Sequence, residues 1–90
     1  KQLQLATKVK TYYNELQTLR QQVLLQESAV GHYQALQQGE ETRFRNGESS
    51  LFLVNTRENK KLEALMKLTG LKAKYIKTAN SLSWAAGLLR

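Results

Sequence analysis

A heptad pattern of apolar residues in the first half of the chain constrains the fold most. Apolar residues recur at alternating steps of three and four, with Gln26, Gln37 and Glu40 as polar interruptions. They are Leu5, Val9, Tyr12, Leu16, Leu19, Val23, Val30, Tyr33 and Phe44. This spacing is typical of a helix packed lengthwise on another helix. The pattern predicts a coiled-coil helix over about residues 2–45, on the order of 65–70 Å long.

Asn46 and Gly47 interrupt the heptad pattern and predict a turn over residues 46–49. Ser49 and Ser50 are both candidates to cap a second helix through their hydroxyl groups. That helix is predicted over about residues 50–86, with Gly87 as its C-terminal stop. Its predicted main row is Leu51, Val54, Leu65, Leu68, Tyr75, Ala79, Leu82 and Ala86, and its flanking row is Leu62, Met66, Ala73 and Ile76.

The composition agrees with an all-α fold of a single long antiparallel hairpin over residues 1–90. The chain has no proline and is rich in strong helix formers, and a short turn forces the two helices to pack antiparallel. The first helix also carries a second row, Leu25, Ala29, His32 and Leu36. Two rows on one helix indicate neighbours on two sides, as in a bundle or a larger helical wall. Because the chain opens with Lys1, we interpret it as a fragment of a longer protein.

Catalytic, metal and cofactor functions are not expected from these residues. The chain has no cysteine and only one histidine, His32, so a metal site cannot be assembled from the usual ligands. Ser49 and Ser50 lack an obvious base and are better explained as helix caps. No run of 18 or more apolar residues is present, so no membrane-spanning helix is predicted. The tyrosines and Trp84 are interpreted as packing residues.

The net charge of +7 leaves two functional classes open. Residues 46–90 carry eight Lys or Arg against three Glu, and Lys60, Lys67 and Lys74 recur every seven positions. Such a stripe could follow a phosphate backbone or an anionic membrane. It is also common on the solvated side of a coiled coil, and no base-reading module accompanies it. Nucleic acid is therefore not the expected partner.

The turn and the residues after it resemble the helix–turn–helix signature of TolC-like outer-membrane efflux proteins. The similar segment is Thr42-Arg43-Phe44-Arg45-Asn46-Gly47-Glu48-Ser49-Ser50-Leu51-Phe52-Leu53-Val54. Further landmarks are Tyr75, Leu82 and the run Ala85-Ala86-Gly87. The resemblance covers roughly residues 36–89, and its Ala-Gly ending is similar to the second of the family's two repeats.

The resemblance implies a hairpin from the periplasmic tunnel wall of an export channel. In that family three protomers form a larger α-barrel that continues into an outer-membrane β-barrel. The chain would then be the periplasmic portion of a bacterial outer-membrane protein. Its partners would be copies of the protein in a trimer, a periplasmic adaptor protein and an inner-membrane pump. By the same resemblance, the adaptor would contact the hairpin tip at Phe44, Asn46, Gly47 and Ser50.

Two positions depart from the family pattern at the tunnel mouth. Some members carry Asp where this chain has Leu53 and Thr56, so the resemblance carries no acidic ring over to these tunnel-mouth positions. Some members also carry Arg at the position of Ser49, and the sequence leaves open whether a nearby arginine takes that role. The expected function is a passive efflux conduit without enzymatic activity. The alternative is a basic coiled-coil module that binds nucleic acid, anionic membrane or another helical protein.

Overall fold

The computed structural model describes residues 2–88, with side chains from Leu5 onward, and over this range the chain is all-helical. Helix α1 spans Gln2–Arg45 and helix α2 spans Leu51–Leu88. The turn between them occupies residues 46–50. The predicted all-α class with two long helices is confirmed. The prediction that Gly87 ends the second helix is wrong, because α2 continues through Gly87 to Leu88.

The packing contacts divide the chain into two compact units. The hairpin unit is Leu24–Thr69, which holds the second half of α1, the turn and the first half of α2. The terminal unit contains the described residues up to Val23 and from Gly70 onward. Each unit therefore contains one segment of each helix, and each has a small core of its own.

The apolar row predicted for α1 is the packing seam of that helix. Every predicted position from Leu5 to Glu40 is buried or half-buried, including the polar interruptions Gln26 and Gln37. Leu19 is 5% exposed, and burial of a leucine side chain contributes on the order of 1.5–3 kcal/mol. Phe44 departs from the prediction, since it is exposed although it continues the heptad.

The seam of α2 agrees with the predicted row at Val54, Leu68, Tyr75 and Leu82 and differs from it elsewhere. The residues that α2 buries or half-buries at heptad spacing are Val54, Arg57, Lys61, Ala64, Leu68, Leu71, Tyr75, Thr78, Leu82 and Ala85. Three residues predicted for the main row lie one position beside this seam: Leu65, Ala79 and Ala86. A fourth predicted residue, Leu51, is exposed. The seam runs through small residues and long cations, whose aliphatic stems can cover apolar surface. An apolar pattern alone does not detect such residues.

In the hairpin unit the two helices pack antiparallel. The side-chain amide of Gln26 on α1 donates a hydrogen bond to the carbonyl oxygen of Ala64 on α2 at 3.0 Å. Nearer the turn, the Arg57 guanidinium on α2 lies 3.3 Å from the Glu40 carboxylate on α1. In the terminal unit the most buried side chains are Leu19, Thr78 and Ala85. Neither helix, over the residues described, is apolar enough over a sufficient length to cross a membrane.

Candidate interaction site at the turn between the helices

The turn is a Schellman motif that ends α1. The Glu48 amide donates to the carbonyl of Arg43 at 2.8 Å, and the Gly47 amide donates to the carbonyl of Phe44 at 3.0 Å. These bonds satisfy carbonyl groups that the end of a helix would otherwise leave unpaired. The motif needs one residue in the left-handed conformation, and Gly47 supplies it with φ of 77°. Among the described residues Gly47 is the one with a positive φ, so it is the left-handed residue of the turn.

Ser50 begins α2 as its N-cap. Its hydroxyl accepts a hydrogen bond from the Leu53 amide at 3.2 Å, and its carbonyl accepts one from the Val54 amide at 3.1 Å. Such a cap pairs one of the amide groups that the first turn of a helix leaves free. Of the two serines that the sequence offered as caps, Ser50 has this role. Ser49 has a different partner.

Ser49 and two arginines surround a buried carboxylate, that of Glu40. The Glu40 side chain is 4% exposed, and the Ser49 hydroxyl donates a hydrogen bond to it at 2.5 Å. Arg57 donates through Nε at 3.3 Å, and an Arg43 nitrogen lies 3.7 Å away. This set, Glu40, Arg43, Ser49 and Arg57, is called the Glu40 cluster below. It joins both helices and the turn around one negative charge.

The Glu40 cluster holds the carboxylate in its charged form. The hydrogen bond from Ser49 is the largest cause that lowers the pKa of Glu40 below its ordinary value of 4.5, and Arg57 and Arg43 lower it further. Burial raises the pKa of Glu40, but this effect is smaller than the combined lowering by Ser49 and the arginines. A carboxylate with a lowered pKa and arginine partners is a weak base, so it is poorly suited to activate Ser49 as a nucleophile. The arrangement is suited to fixing the turn.

Apolar side chains surround this fixed turn and face solvent. Phe52 is 75% exposed, Leu51 59%, Phe44 43% and Leu53 42%. These four residues are called the tip cluster below. Exposed large apolar side chains that form a patch commonly mark a surface that binds another macromolecule. Leu25, Met66 and Trp84 along the helices are similarly exposed, so the position of the tip cluster at the turn is what distinguishes it.

The residues predicted to contact an adaptor all lie at this tip and all are accessible. Phe44, Asn46, Gly47 and Ser50 are each exposed. A Cβ atom placed on Gly47 would meet no atom beyond its two chain neighbours within 4 Å, so its backbone is open to approach from outside. The predicted tunnel-mouth residues Leu53 and Thr56 are exposed in the first turns of α2, and the Thr56 hydroxyl donates to the carbonyl of Phe52 at 2.9 Å.

Among the described side chains, His32 and the lysines of α2 were the other candidates for a site. His32 is exposed and its ring lies 5.9 Å from that of its neighbour Tyr33. Over residues 2–88 no group of three potential ligands could hold a metal ion. Lys60, Lys67 and Lys74 are exposed, as the rival nucleic-acid hypothesis requires, whereas Lys61 is half-buried in the seam.

The Glu40 cluster is the part of the site that the sequence reasoning missed. In the sequence Glu40 is only a polar interruption of the seam, and Arg57 is one of several arginines near the turn. One signal could have revealed the cluster. Glu40 and Arg57 both occupy seam positions, on opposite sides of a short turn that brings the two helices together. Comparison with known protein families, with curated proteins and with solved structures gives no match to this chain.

Proposed function

We propose that the chain is a tunnel-wall hairpin of an outer-membrane efflux channel that docks a periplasmic adaptor protein at its turn. The hairpin contributes a passive wall and a docking tip, and the energy for export comes from an inner-membrane pump. No catalytic step is assigned to the chain. The proposal places the hairpin in the periplasm, within a trimer that forms an α-barrel.

The observation that carries the proposal is an exposed apolar tip built on a rigid turn. The tip cluster offers a partner large side chains to bury, and Gly47 leaves room for close backbone approach. The Schellman bonds, the Ser50 cap and the Glu40 cluster fix the backbone beneath these side chains. A preorganised surface loses little conformational freedom on binding, which favours affinity.

The outward side of α1 is suited to a water-facing wall. Its exposed residues between positions 14 and 38 include the neutral polar Asn14, Gln17, Gln21, Ser28 and Gln38, together with the charged Arg20 and Glu27 and the apolar Leu24. Amide and hydroxyl groups are well hydrated without attracting a charged solute strongly. Such a surface suits a passive conduit, because passage requires that solutes bind weakly to the wall.

The test uses the full-length protein that contains this chain, expressed in bacteria together with its adaptor and pump. Gly47→Val and Phe52→Asp should each abolish adaptor crosslinking at the tip and the export of a fluorescent pump substrate. Gly31→Val is the matched control, because Gly31 is an exposed glycine of α1 away from the turn. Export that persists in both tip variants at normal protein levels would refute the proposal.

The alternative function, a basic module for nucleic acid or anionic membrane, rests on the exposed lysines of α2. Binding of this kind weakens steeply as salt concentration rises, because bound counterions are released. Titration of the chain with duplex DNA and with vesicles containing an anionic lipid, each at several salt concentrations, separates the two functions. Tight binding with a steep salt dependence that Lys60→Gln and Lys67→Gln abolish would favour the alternative.

A further inference from the structure

Asn46 is followed directly by a glycine, and this pair has a chemistry of its own. The backbone nitrogen that follows an asparagine can attack the side-chain amide carbon and close a five-membered ring. A glycine leaves that nitrogen unhindered, because it has no Cβ atom. Both Asn46 and Gly47 are exposed, and no atom beyond the two chain neighbours lies within 4 Å of where a Cβ atom on Gly47 would be. Water and a base can therefore reach the reacting atoms.

The other asparagines of the chain lack both advantages. Each is followed by a residue with a side chain and lies within α1 or α2: Asn14, Asn55, Asn59 and Asn80. Ring closure requires the next backbone nitrogen to rotate into line with the Cβ atom of the asparagine, which a helical ψ of about −42° does not allow. The helices therefore hold these asparagines in an unreactive conformation, whereas Asn46 lies in the turn.

The intact turn also restrains Asn46, through two backbone hydrogen bonds. The Asn46 amide donates to the carbonyl of Thr42 at 3.1 Å, which continues the hydrogen-bond pattern of α1. The Gly47 amide, whose nitrogen is the attacking atom, donates its proton to the carbonyl of Phe44 at 3.0 Å. The reaction requires this nitrogen to lose that proton and to move toward the Asn46 side chain. The bond to Phe44 must therefore break before the ring can close.

We propose that Asn46 is a site of spontaneous deamidation, which the closed turn prevents and opening of the turn permits. In the open turn the Gly47 nitrogen gives its proton to a base and forms a bond to Cγ of Asn46. The bond from Cγ to the side-chain nitrogen breaks, and that nitrogen takes up a proton and leaves as ammonia. Water then opens the ring at either carbonyl carbon, so the product at position 46 is an aspartyl or an isoaspartyl residue.

Both products weaken the turn in which they form. The isoaspartyl product carries the backbone through Cγ, which adds one atom to the chain between positions 46 and 47 and changes the geometry of the Schellman bonds. The aspartyl product keeps the backbone but places a negative charge at the C-terminal end of α1, where the helix dipole disfavours it. Modified copies therefore lose the fixed base of the tip cluster. Only the effect of that loss on adaptor docking rests on the proposed function.

The Glu40 cluster sets how often the turn opens. The Ser49 hydroxyl donates to the Glu40 carboxylate, which Arg57 also approaches from α2. Loss of a hydrogen bond to a charged group raises the population of a locally open state by about tenfold. Ser49→Ala should therefore speed the deamidation of Asn46 by about that factor without altering the reacting atoms. Ser28→Ala, at an exposed serine of α1 away from the turn, is the matched control and should leave the rate unchanged.

The test incubates the protein that contains this chain at mildly alkaline pH, folded or in denaturant, and follows the conversion of amide to carboxyl by mass spectrometry. Cleavage after Arg45 and Arg57 releases residues 46–57 as one peptide, in which Asn55 is an internal control for Asn46. We expect conversion at Asn46 in denaturant, conversion at least about tenfold slower in the folded protein, and slower conversion at Asn55 than at Asn46 in denaturant.

Three results would overturn the inference. They are an Asn46 that stays intact in denaturant, equal rates at Asn46 in folded and denatured protein, and a rate in folded Ser49→Ala equal to that of wild type. Circular dichroism shows whether Ser49→Ala keeps its helicity, and Ser50→Ala, which weakens the turn at the cap of α2, replaces it if it does not. None of these measurements involves an adaptor, so failure of this inference is distinct from failure of the docking proposal.

Discussion

Glu40 and Ser49 form a 2.5 Å hydrogen bond that ties the last turns of α1 to the segment leading into α2. Both residues lie within the hairpin unit, nine positions apart in the chain. Arg57 approaches the same carboxylate from α2 at 3.3 Å. The reversal of the chain is therefore held by side chains as well as by the backbone bonds of the turn.

Acid should destabilise the protein partly through Glu40. A carboxyl group with a lowered pKa in the folded state adds stability that is complete above its unfolded pKa, near 4.5, and is lost as pH falls through the folded value. Thermal unfolding followed between pH 7 and pH 3 should show a loss of stability that is smaller in Glu40→Gln. Ser49→Ala removes the largest cause of the lowered pKa and should reduce the acid-dependent loss as well. An unchanged acid dependence in both variants would contradict this role.

Gly47 should be the most sensitive backbone position of the turn. A left-handed conformation costs a residue with a Cβ atom roughly 1–2 kcal/mol, and Gly47 has φ of 77°. Gly47→Ala should lower the free energy of unfolding by about that amount, or the midpoint of thermal unfolding by about 4–8 °C per kcal/mol. Gly47→Asn should cost less, because asparagine adopts this conformation more readily. Equal losses in both variants would argue against the conformational explanation.

Ser50→Ala should remove the N-cap of α2. The cap bond runs from the Leu53 amide to the Ser50 hydroxyl, and loss of such a cap costs about 1 kcal/mol. Ser50→Asp should retain the stability, because its carboxylate can accept the same bond and favours the N-terminus of a helix. Ser28→Ala, at an exposed serine within α1, is the control and should not lower the stability. Denaturant unfolding measured by circular dichroism checks all three variants.

Gln37→Leu should stabilise the hairpin. Gln37 occupies the α1 seam, and in the described part of the chain its Oε1 is buried with no hydrogen-bond partner. A buried unpaired polar group costs about 1–3 kcal/mol, and leucine would remove that cost and add apolar burial. Gln38→Leu, on the exposed neighbour, should change stability by less than about 0.5 kcal/mol. Leucine would also remove the bond that the Gln37 amide nitrogen donates to Glu41 at 3.1 Å, so a lower unfolding midpoint than for wild type would show that this bond outweighs the unpaired oxygen.

The sequence predicted α1 well because its seam is made mostly of large apolar residues at strict heptad spacing. The α2 seam was predicted correctly at Val54, Leu68, Tyr75 and Leu82. It was predicted one position off at Leu65 and Ala79, because the buried neighbours Ala64 and Thr78 carry a weaker apolar signal, and at Ala86, because Ala85 beside it is the same residue type. The prediction of Asn46 and Gly47 as the turn was supported by local chemistry alone. That chemistry could not distinguish Ser49 from Ser50 as the cap.

The Glu40 cluster could not be predicted from local pattern because its members meet only after the chain reverses. Glu40 and Arg57 lie 17 positions apart, and their contact depends on the length and geometry of the turn between them. The exposure of Phe44 has a related origin. It lies at the last seam position of α1, where α2 has not yet begun and no facing helix covers it.

The compact turn also sets the order in which the hairpin can assemble. Its backbone bonds join residues four or five positions apart at most, whereas Gln26 and Ala64 are separated by 38 positions. Closing a short loop costs less chain entropy than closing a long one. The turn can therefore form first, and the helices can then pair progressively away from it. Such a low sequence separation of the first contacts favours rapid folding.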